Sequence, residues 1–255
     1  PGSRRSEINQ HLPIWIETFR LLRRNDRDLE AVIALAPSLD PADFERKLAV
    51  LAGEMAEVIH VVSGTSTDAM DVADVVATEG AVLADGPFDV LVNSAGLAIH
   101  SPAVETTVDD FDAVANINIK GAYFLTRAVA KGLLEAGKPG SLINITSQMA
   151  LVGGIDRAVY CASKHAVEGF TKAMAIEWGK QGIRVNTVGP TVVRTPLTVQ
   201  TFNNTARVAW SNDKIKLGRV GEVTDMMGPV VYLASEASGL MTGAQLSLDG
   251  GWTAD

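Results

Sequence analysis

The sequence predicts a doubly wound α/β fold, a parallel sheet layered between helices. Three observations carry that reading. Short apolar runs alternate with longer helical patterns from about residue 71 onward, the signature of βαβ units and a parallel sheet covered on both faces. Each of the clearest runs ends on a turn of small or polar residues: Asn93-Ser94-Ala95-Gly96, Thr146-Ser147 and Gly189-Pro190. The chain has 255 residues, 47% apolar and 20% charged, enough for one large domain with a full core.

The elements follow in order. Phe88-Asp89-Val90-Leu91-Val92 reads as a buried strand. A helix is expected over Asp109 to Leu134, carrying Phe111, Val114, Ile117 and Phe124. Gly140 opens a second strand through Ile145, and a helix follows from Arg157 to Gly179. A third strand spans Ile183 to Val188. Val223 to Ala234 reads as a helix and Gln245 to Leu248 as the last strand. In such sheets ligands sit beyond the carboxyl ends of the strands, where the three polar turns fall.

Residues 1–57 read mainly as helix. Leu12 to Arg24 is amphipathic, Asp28 to Ala36 is a second candidate, and Asp43 to Val58 a third; Val58 to Val62 follows as a candidate strand. Pro37 and Pro41 mark a break.

A net charge of −8 argues against a general nucleic-acid binder, which needs a basic face. No apolar run approaches the roughly 20 residues of a membrane span, and no signal peptide is legible. Pro1-Gly2-Ser3 reads as a cloning remnant. The single cysteine, Cys161, excludes an intrachain disulfide and agrees with a reducing, cytoplasmic setting. His11, His60, His100 and His165 show no metal-ligand spacing, so no metal is expected.

Tyr160 and Lys164 are four residues apart, one helical turn, and share a face. A phenol of reference pKa about 10 is a poor acid–base catalyst at neutral pH. A neighbouring ammonium favours the phenolate and lowers that value, so Tyr160 is a candidate general acid–base. Ser147, just after the second strand, is placed either to bond a reacting oxygen or to cap a turn. Asn118 sits in Asn116-Ile117-Asn118, inside a helix that asparagine disfavours. It reads either as a buried amide bracing the backbone or as the mark of a kink that presents it to a proton path.

Together these segments resemble the short-chain dehydrogenase/reductase family in its single-domain, Rossmann-like form. Asn93-Ser94-Ala95-Gly96 is similar to the family's Asn-Asn-Ala-Gly motif, with one asparagine changed. Asn118, Ser147, Tyr160 and Lys164 match its catalytic residues in order and spacing. Asp71-Val72 resembles the acidic turn that contacts adenine, and Pro190 to Thr195 the loop that touches the nicotinamide carboxamide. Leu248-Asp249-Gly250-Gly251 resembles its C-terminal strand end. The resemblance covers residues 71–255. It implies an oxidoreductase moving a hydride between NAD or NADP and a secondary alcohol or ketone, leaning to sugars, polyols and small carbonyl compounds. Tyr160 would be the acid–base, Lys164 would lower its pKa and bond the ribose, Ser147 would orient substrate, and Asn118 would hold a relay water. Asp71, Val72, Asn93, Ala95, Gly96, Pro190, Val193 and Thr195, with Tyr160 and Lys164, would contact the cofactor. Gln148 and Trp210 join Ser147 as substrate candidates, Trp210 lying in a substrate lid over 196–216. The implied architecture is one domain over 1–255, atypical over 1–65, assembled as a homo-tetramer.

One feature of the family is missing. A glycine-rich turn, Thr-Gly-x-x-x-Gly-x-Gly, lets backbone approach the pyrophosphate at a helix start. Counting back from Asp71 places it near Asn25 to Glu30, which holds no glycine, and Ser63-Gly64-Thr65 is the nearest substitute. A real replacement, a frameshift or incomplete end, and a divergent loop that still binds dinucleotide all remain open, as does the choice of NAD over NADP. Two other readings stand beside the oxidoreductase. One is a cofactor-free enzyme on this fold, such as the halohydrin dehalogenases, which carry arginine where Lys164 stands. The other is a non-catalytic binding protein. Cys161, about 100° round the helix from Tyr160, reads as a small packing residue.

Overall fold

The computed structural model describes residues 31–35, 40–63, 86–195 and 205–254, with Leu12, Pro13, Ile16, Glu17, Phe19, Arg20, Arg23, Val82, Thr198 and Phe202. The chain builds a three-layer α/β/α fold. Its described strands are β1 (Ala31–Leu35), β2 (Ile59–Ser63), β3 (Val90–Asn93), β4 (Gly140–Ile145), β5 (Ile183–Pro190) and β6 (Gln245–Leu248). They pair all-parallel in the order β2-β1-β3-β4-β5-β6. The chain winds outward from β1 to β2, then returns to β3 on the other flank of β1. That reversal makes the crevice between β1 and β3 the switch point at which such sheets bind ligands.

The β3-to-β6 side of the sheet follows the sequence expectation closely. Helix α1 (Pro41–Ala52) crosses from β1 to β2. Helices α2 (Val108–Ala115) and α3 (Ala122–Ala136) connect β3 to β4. Helix α4 (Ala158–Trp178) connects β4 to β5, and α5 (Thr205–Lys214) and α6 (Met227–Ala234) precede β6. Leu125, Val129 and Leu133 of α3 and Met174 of α4 bury against Leu91, Leu142 and Val185 of the sheet. Ile143 and Val188 pack on Leu233 of α6.

Three expectations are corrected. The segment read as a helix over Asp28 to Ala36 contains strand β1, paired on one side with β2 and on the other with β3. An interior parallel strand is a continuous apolar run, which periodicity alone cannot separate from a buried helix. The link from β1 to α1 therefore falls at 36–40, not at the stretch near Asn25 to Glu30, and Gly64 follows β2 rather than β1. The helix expected without interruption over Asp109 to Leu134 is broken by a π-helical turn, Asn116–Gly121. The third N-terminal helix ends at Ala52 and continues as a 3₁₀ turn, Gly53–Val58. Leu12, Ile16 and Phe19 are helical, as expected, and are buried against Phe44, Leu48 and Ile59. Among the described residues no helix is long and apolar enough to cross a membrane.

Candidate active site

The carboxyl ends of β3, β4 and β5 form a polar floor. Asn93 closes β3: its amide donates to Asn144 Oδ1 at 3.0 Å, and its own Oδ1 accepts from Ala95 N at 3.3 Å. That bond turns the chain into Ala95-Gly96. A Cβ on Gly96 would lie 3.6 Å from both Asn118 Oδ1 and Lys164 Nζ, so the bare glycine backbone leaves a shallow cradle directly above both groups.

The π-helical turn aims Asn118 at that cradle, and a π-bulge is a recognised cause of a helix kink. Its side chain clamps Leu97 in both directions. Leu97 N donates to Oδ1 at 2.8 Å, and Nδ2 donates to Leu97 O at 2.9 Å and to Ser163 Oγ at 3.0 Å. Of the two readings the sequence left open, these bonds show the bracing amide, carried on a π-helical turn.

Ser147 also does two things. Its hydroxyl accepts from Met149 N at 3.1 Å, capping the 3₁₀ turn Gln148–Ala150, and donates to Gln148 Oε1 at 2.8 Å. Its backbone carbonyl accepts from Gln245 Nε2 on β6 at 3.3 Å. Gln245 reaches it by passing over Gly189, where any Cβ would collide with the amide.

Lys164 is buried, and its ammonium sits 5.6 Å from the Tyr160 ring centroid. It donates to Ile145 O at 3.0 Å, which among the described residues leaves two of its three N–H donors unspent. Burial lowers its pKa from 10.5 to about 8, with Glu168 pulling the other way. Glu168 lies one turn further along α4, buried, its Oε1 accepting from Thr146 and Thr187 at 2.8 Å each. The Tyr160 pKa is raised, not lowered: burial dominates, opposed by a hydrogen bond with Ser147 and by Arg157. The depressed phenol expected from the Lys164 spacing is not met, because desolvation of the phenolate outweighs those charges.

The remaining candidates divide. Pro190 ends β5, and Val193 is buried in a bridge to Gly221. Thr195 N is held by Thr198 Oγ1 at 3.0 Å. The neighbouring Thr191 hydroxyl is buried without a partner among the described residues. Gln148 is buried beside Ser147. Trp210 stacks edge-on against Trp252 at 5.1 Å, and Trp252 is buried with Met149, Cys161 and Ile215; Cys161 is the packing residue expected. Asp71 and Val72, and parts of 196–216, lie outside the described residues.

A dinucleotide fits one half of this crevice. The Gly96 cradle, the two spare Lys164 donors and the unpartnered Thr191 hydroxyl suit a nicotinamide riboside. On the other half, the link 36–40 has no glycine in its sequence, and Asp40 caps α1 by accepting from Ala42 N at 3.0 Å. Its carboxylate occupies the positive helix end that a pyrophosphate would use.

Sequence reasoning missed three residues. Arg157 and His100 meet at 2.6 Å beside Tyr160, and Glu168 braces the strand ends. The first pair is 57 positions apart, with no local pattern to reveal it; Glu168, four residues after Lys164 on one helix face, carried a weak signal.

The chain belongs to the short-chain dehydrogenase/reductase family. Residues 31–253 match a short-chain dehydrogenase family model described as enoyl-(acyl carrier protein) reductase, so the match begins at β1 and includes the atypical first βα unit. The chain is 35% identical over 201 residues to L-xylulose reductase of Bos taurus, covering 79% of this chain and 82% of that protein. It is 42% identical over 174 residues to 2-dehydro-3-deoxy-D-gluconate 5-dehydrogenase of Escherichia coli K12, covering 68% and 69%. The crystal structure of a gluconate 5-dehydrogenase from Burkholderia cenocepacia, in complex with NADP and tartrate, aligns at TM-score 0.78 and 29% identity over 88% of this chain and 85% of that one.

Proposed function

We propose that the chain is an NAD(P)-dependent oxidoreductase acting on a secondary alcohol or ketone of the sugar and polyol class, with Tyr160 as general acid–base. The observation that carries this is the convergence of Tyr160, Ser147, Lys164 and Asn118 on one floor beneath Gly96 at the switch point. The relatives named for xylulose and deoxygluconate chemistry support the substrate class.

The nicotinamide supplies or accepts the hydride. The protein supplies position and protons. Tyr160 passes a proton to or from the substrate oxygen, and Ser147 fixes that oxygen once its hydroxyl turns from Gln148. Lys164 directs its spare donors to the ribose and stabilises the phenolate as it forms. Asn118 holds the Leu97 backbone and lines the route by which protons leave through Lys164. Asn93, Ala95, Gly96, Pro190, Val193 and Thr195 line the nicotinamide side, Asp71 and Val72 the adenine side. Gln148 and Trp210 flank the substrate, under a lid over 196–216. The proposed unit is a single domain over 1–255. The exposed Phe111, Tyr123 and Ile176 on α2, α3 and α4 support a homo-tetramer, and light scattering checks it; the proposed compartment is the cytoplasm.

Titration with NADH and NADPH, followed by quenching of tryptophan fluorescence, tests the cofactor. Tyr160→Phe tests the chemistry: kcat is expected to fall by about 10²–10⁴, the range for losing a positioned acid–base, with cofactor affinity retained. Absence of any signal with either cofactor at millimolar level removes the oxidoreductase reading.

A further inference from the structure

Arg157 occupies the N-cap position of α4, three residues ahead of Tyr160. Its guanidinium Nη1 lies 2.6 Å from His100 Nε2, on the segment after β3. The His100 ring in turn stands edge-on to the Tyr160 ring, with 6.3 Å between centroids. Arg157, His100 and Tyr160 thus make one chain of contacts along the rim of the site. The backbone fixes that meeting. Asp156 has φ 59°, the left-handed region that costs free energy in a non-glycine residue, and its carbonyl accepts from Ser101 N at 3.2 Å. That bond ties the Arg157 turn to the His100 segment.

The chemistry of the contact sets the charge of each member. A guanidinium has donors and no acceptor, so at 2.6 Å Nε2 must offer its lone pair and His100 must be neutral. Partial burial and the Arg157 and Arg207 charges hold its pKa at about 4, in agreement. An uncharged imidazole anchors the guanidinium without cancelling its field. Lys164 is a different kind of cation. With its pKa at about 8, it gives up its proton in the range where a phenol has barely begun to ionise. Burial also lowers the pKa of Arg157, but from 12.5, and a guanidinium keeps its charge across that range. Among the described residues, the titratable groups that bear on the phenol are Lys164, Cys161 and Arg157 beside it and His100 across from it, with Asp156 and Arg207 further out, 3.8 Å apart. Ser147 adds a hydroxyl. Burial disfavours the phenolate, and Arg157 is the charge that opposes burial. The positive end of the 21-residue α4, in whose first turn Tyr160 sits, works in the same direction.

We infer that Arg157, anchored by neutral His100, is a positioning residue for Tyr160: it supplies the permanent positive charge that holds the buried phenol within reach of ionisation, alongside the titrating charge of Lys164. This rests on the oxidoreductase reading for its catalytic meaning and adds two residues to that site. The direction of the effect follows from the charge. A cation favours the phenolate, so removing it leaves burial less opposed and the phenol pKa rises further. A rise of one unit cuts the phenolate fraction about ten-fold, and alcohol oxidation, which needs Tyr160 to accept a proton, falls with it.

The test reads the phenol directly. The full chain, labelled with carbon-13 at tyrosine Cζ, is titrated with alkali and followed by NMR without cofactor or substrate. It has three tyrosines, Tyr123, Tyr160 and Tyr232; Tyr160→Phe assigns the site resonance, and the other two report that the fold persists. Arg157→Gln should raise the Tyr160 ionisation by about 0.5–1 pH unit, less than the roughly 1–3 units of an opposite charge in direct contact. Arg157→Lys should stay near the wild-type value, because it retains the charge; a merely structural arginine would not be rescued in this way. If the glutamine variant folds poorly, His100→Leu reads the same link: it frees the guanidinium toward water, and the ionisation should rise by a smaller step. An unmoved Tyr160 in Arg157→Gln, or in His100→Leu where that variant stands in, overturns the inference, as does a lysine variant shifted as far as the glutamine one. Failure of the oxidoreductase reading shows separately, as no NADH or NADPH signal, while the Tyr160 ionisation is still read.

Discussion

The two flanks of the switch point are built alike and finished differently. On one flank, β1, α1 and β2 make a regular parallel unit. On the other, β3 to β6 with their helices make the same unit several times over. The β3–β6 flank, where the proposed catalytic residues sit, ends in buried amides, hydroxyls and an ammonium whose hydrogen bonds cross from strand to strand. The β1–β2 flank, proposed to take the nucleotide, ends in a glycine-free link to a helix capped by an exposed carboxylate, Asp40. The difference teaches that apolar patterning secures the topology, while a few turn residues decide what can be bound at the strand ends. The first can persist where the second has changed.

Four changes break or sharpen that contrast. Lys164→Met has the largest expected effect. It removes the group that faces the phenol and that the proposed function assigns to the ribose, so turnover should drop by about 10³, within the range for positioned acid–base partners. Stability should move the other way. With the folded pKa near 8 and the usual value 10.5, the unfolded chain holds a proton between those pH values that the folded chain does not. The cost of burial is therefore fully present below pH 8 and is relieved as pH rises toward 10.5, a difference of roughly 3 kcal/mol. Less roughly 1–2 kcal/mol for the orphaned Ile145 carbonyl, the variant should be the more stable protein at pH 7 and lose that advantage by pH 10. Urea midpoints at the two pH values check it.

Asn118→Ala removes three hydrogen bonds from the floor and should cost about 2–4 kcal/mol, measured by the same unfolding transition, with kcat reduced as the Gly96 segment loosens. Glu168→Gln should be milder. The amide oxygen still accepts from Thr146 and Thr187, but the negative charge beside Lys164 is gone, so the alkaline limb of the pH–rate profile should shift down. An unmoved limb would show that Glu168 acts only as a strand brace. Asp40→Asn is the smallest and tests the nucleotide flank directly. Asparagine caps a helix about as well as aspartate, so stability should hold. Removing the charge should tighten NADH binding by a few fold, worth about 1 kcal/mol or less at an exposed site, read from fluorescence titration. No change would place the pyrophosphate away from the end of α1.

How much of this was legible in the sequence follows from how local each signal is. Strands β3 to β6 and helices α3 and α4 were readable because turn residues punctuate them. Strand β1 was not: Ala31 to Leu35 is an unbroken apolar run beside a charged segment, and only its pairing with β2 and β3 distinguishes strand from helix. Asn118, Ser147, Tyr160 and Lys164 could be placed because short motifs carry them. The raised Tyr160 pKa could not, since it depends on how deeply the phenol is buried. Nor could the meeting of Arg157 with His100, which two loops bring about across the site.

The π-helical turn at Asn116–Gly121 has a consequence in evolutionary terms. A π-bulge is an α-helix holding one surplus residue. Deleting any one residue between 116 and 121 would restore an uninterrupted helix, and the segment would become more regular. The flanking helical faces would keep their phase, because the bulge absorbs the surplus residue, but the wide turn that brings Asn118 to Leu97 would be lost. In this part of the chain substitutions are graded in their effects, whereas changes in length are all-or-none, so descendants of this sequence should drift in composition around Asn118 while keeping the residue count fixed.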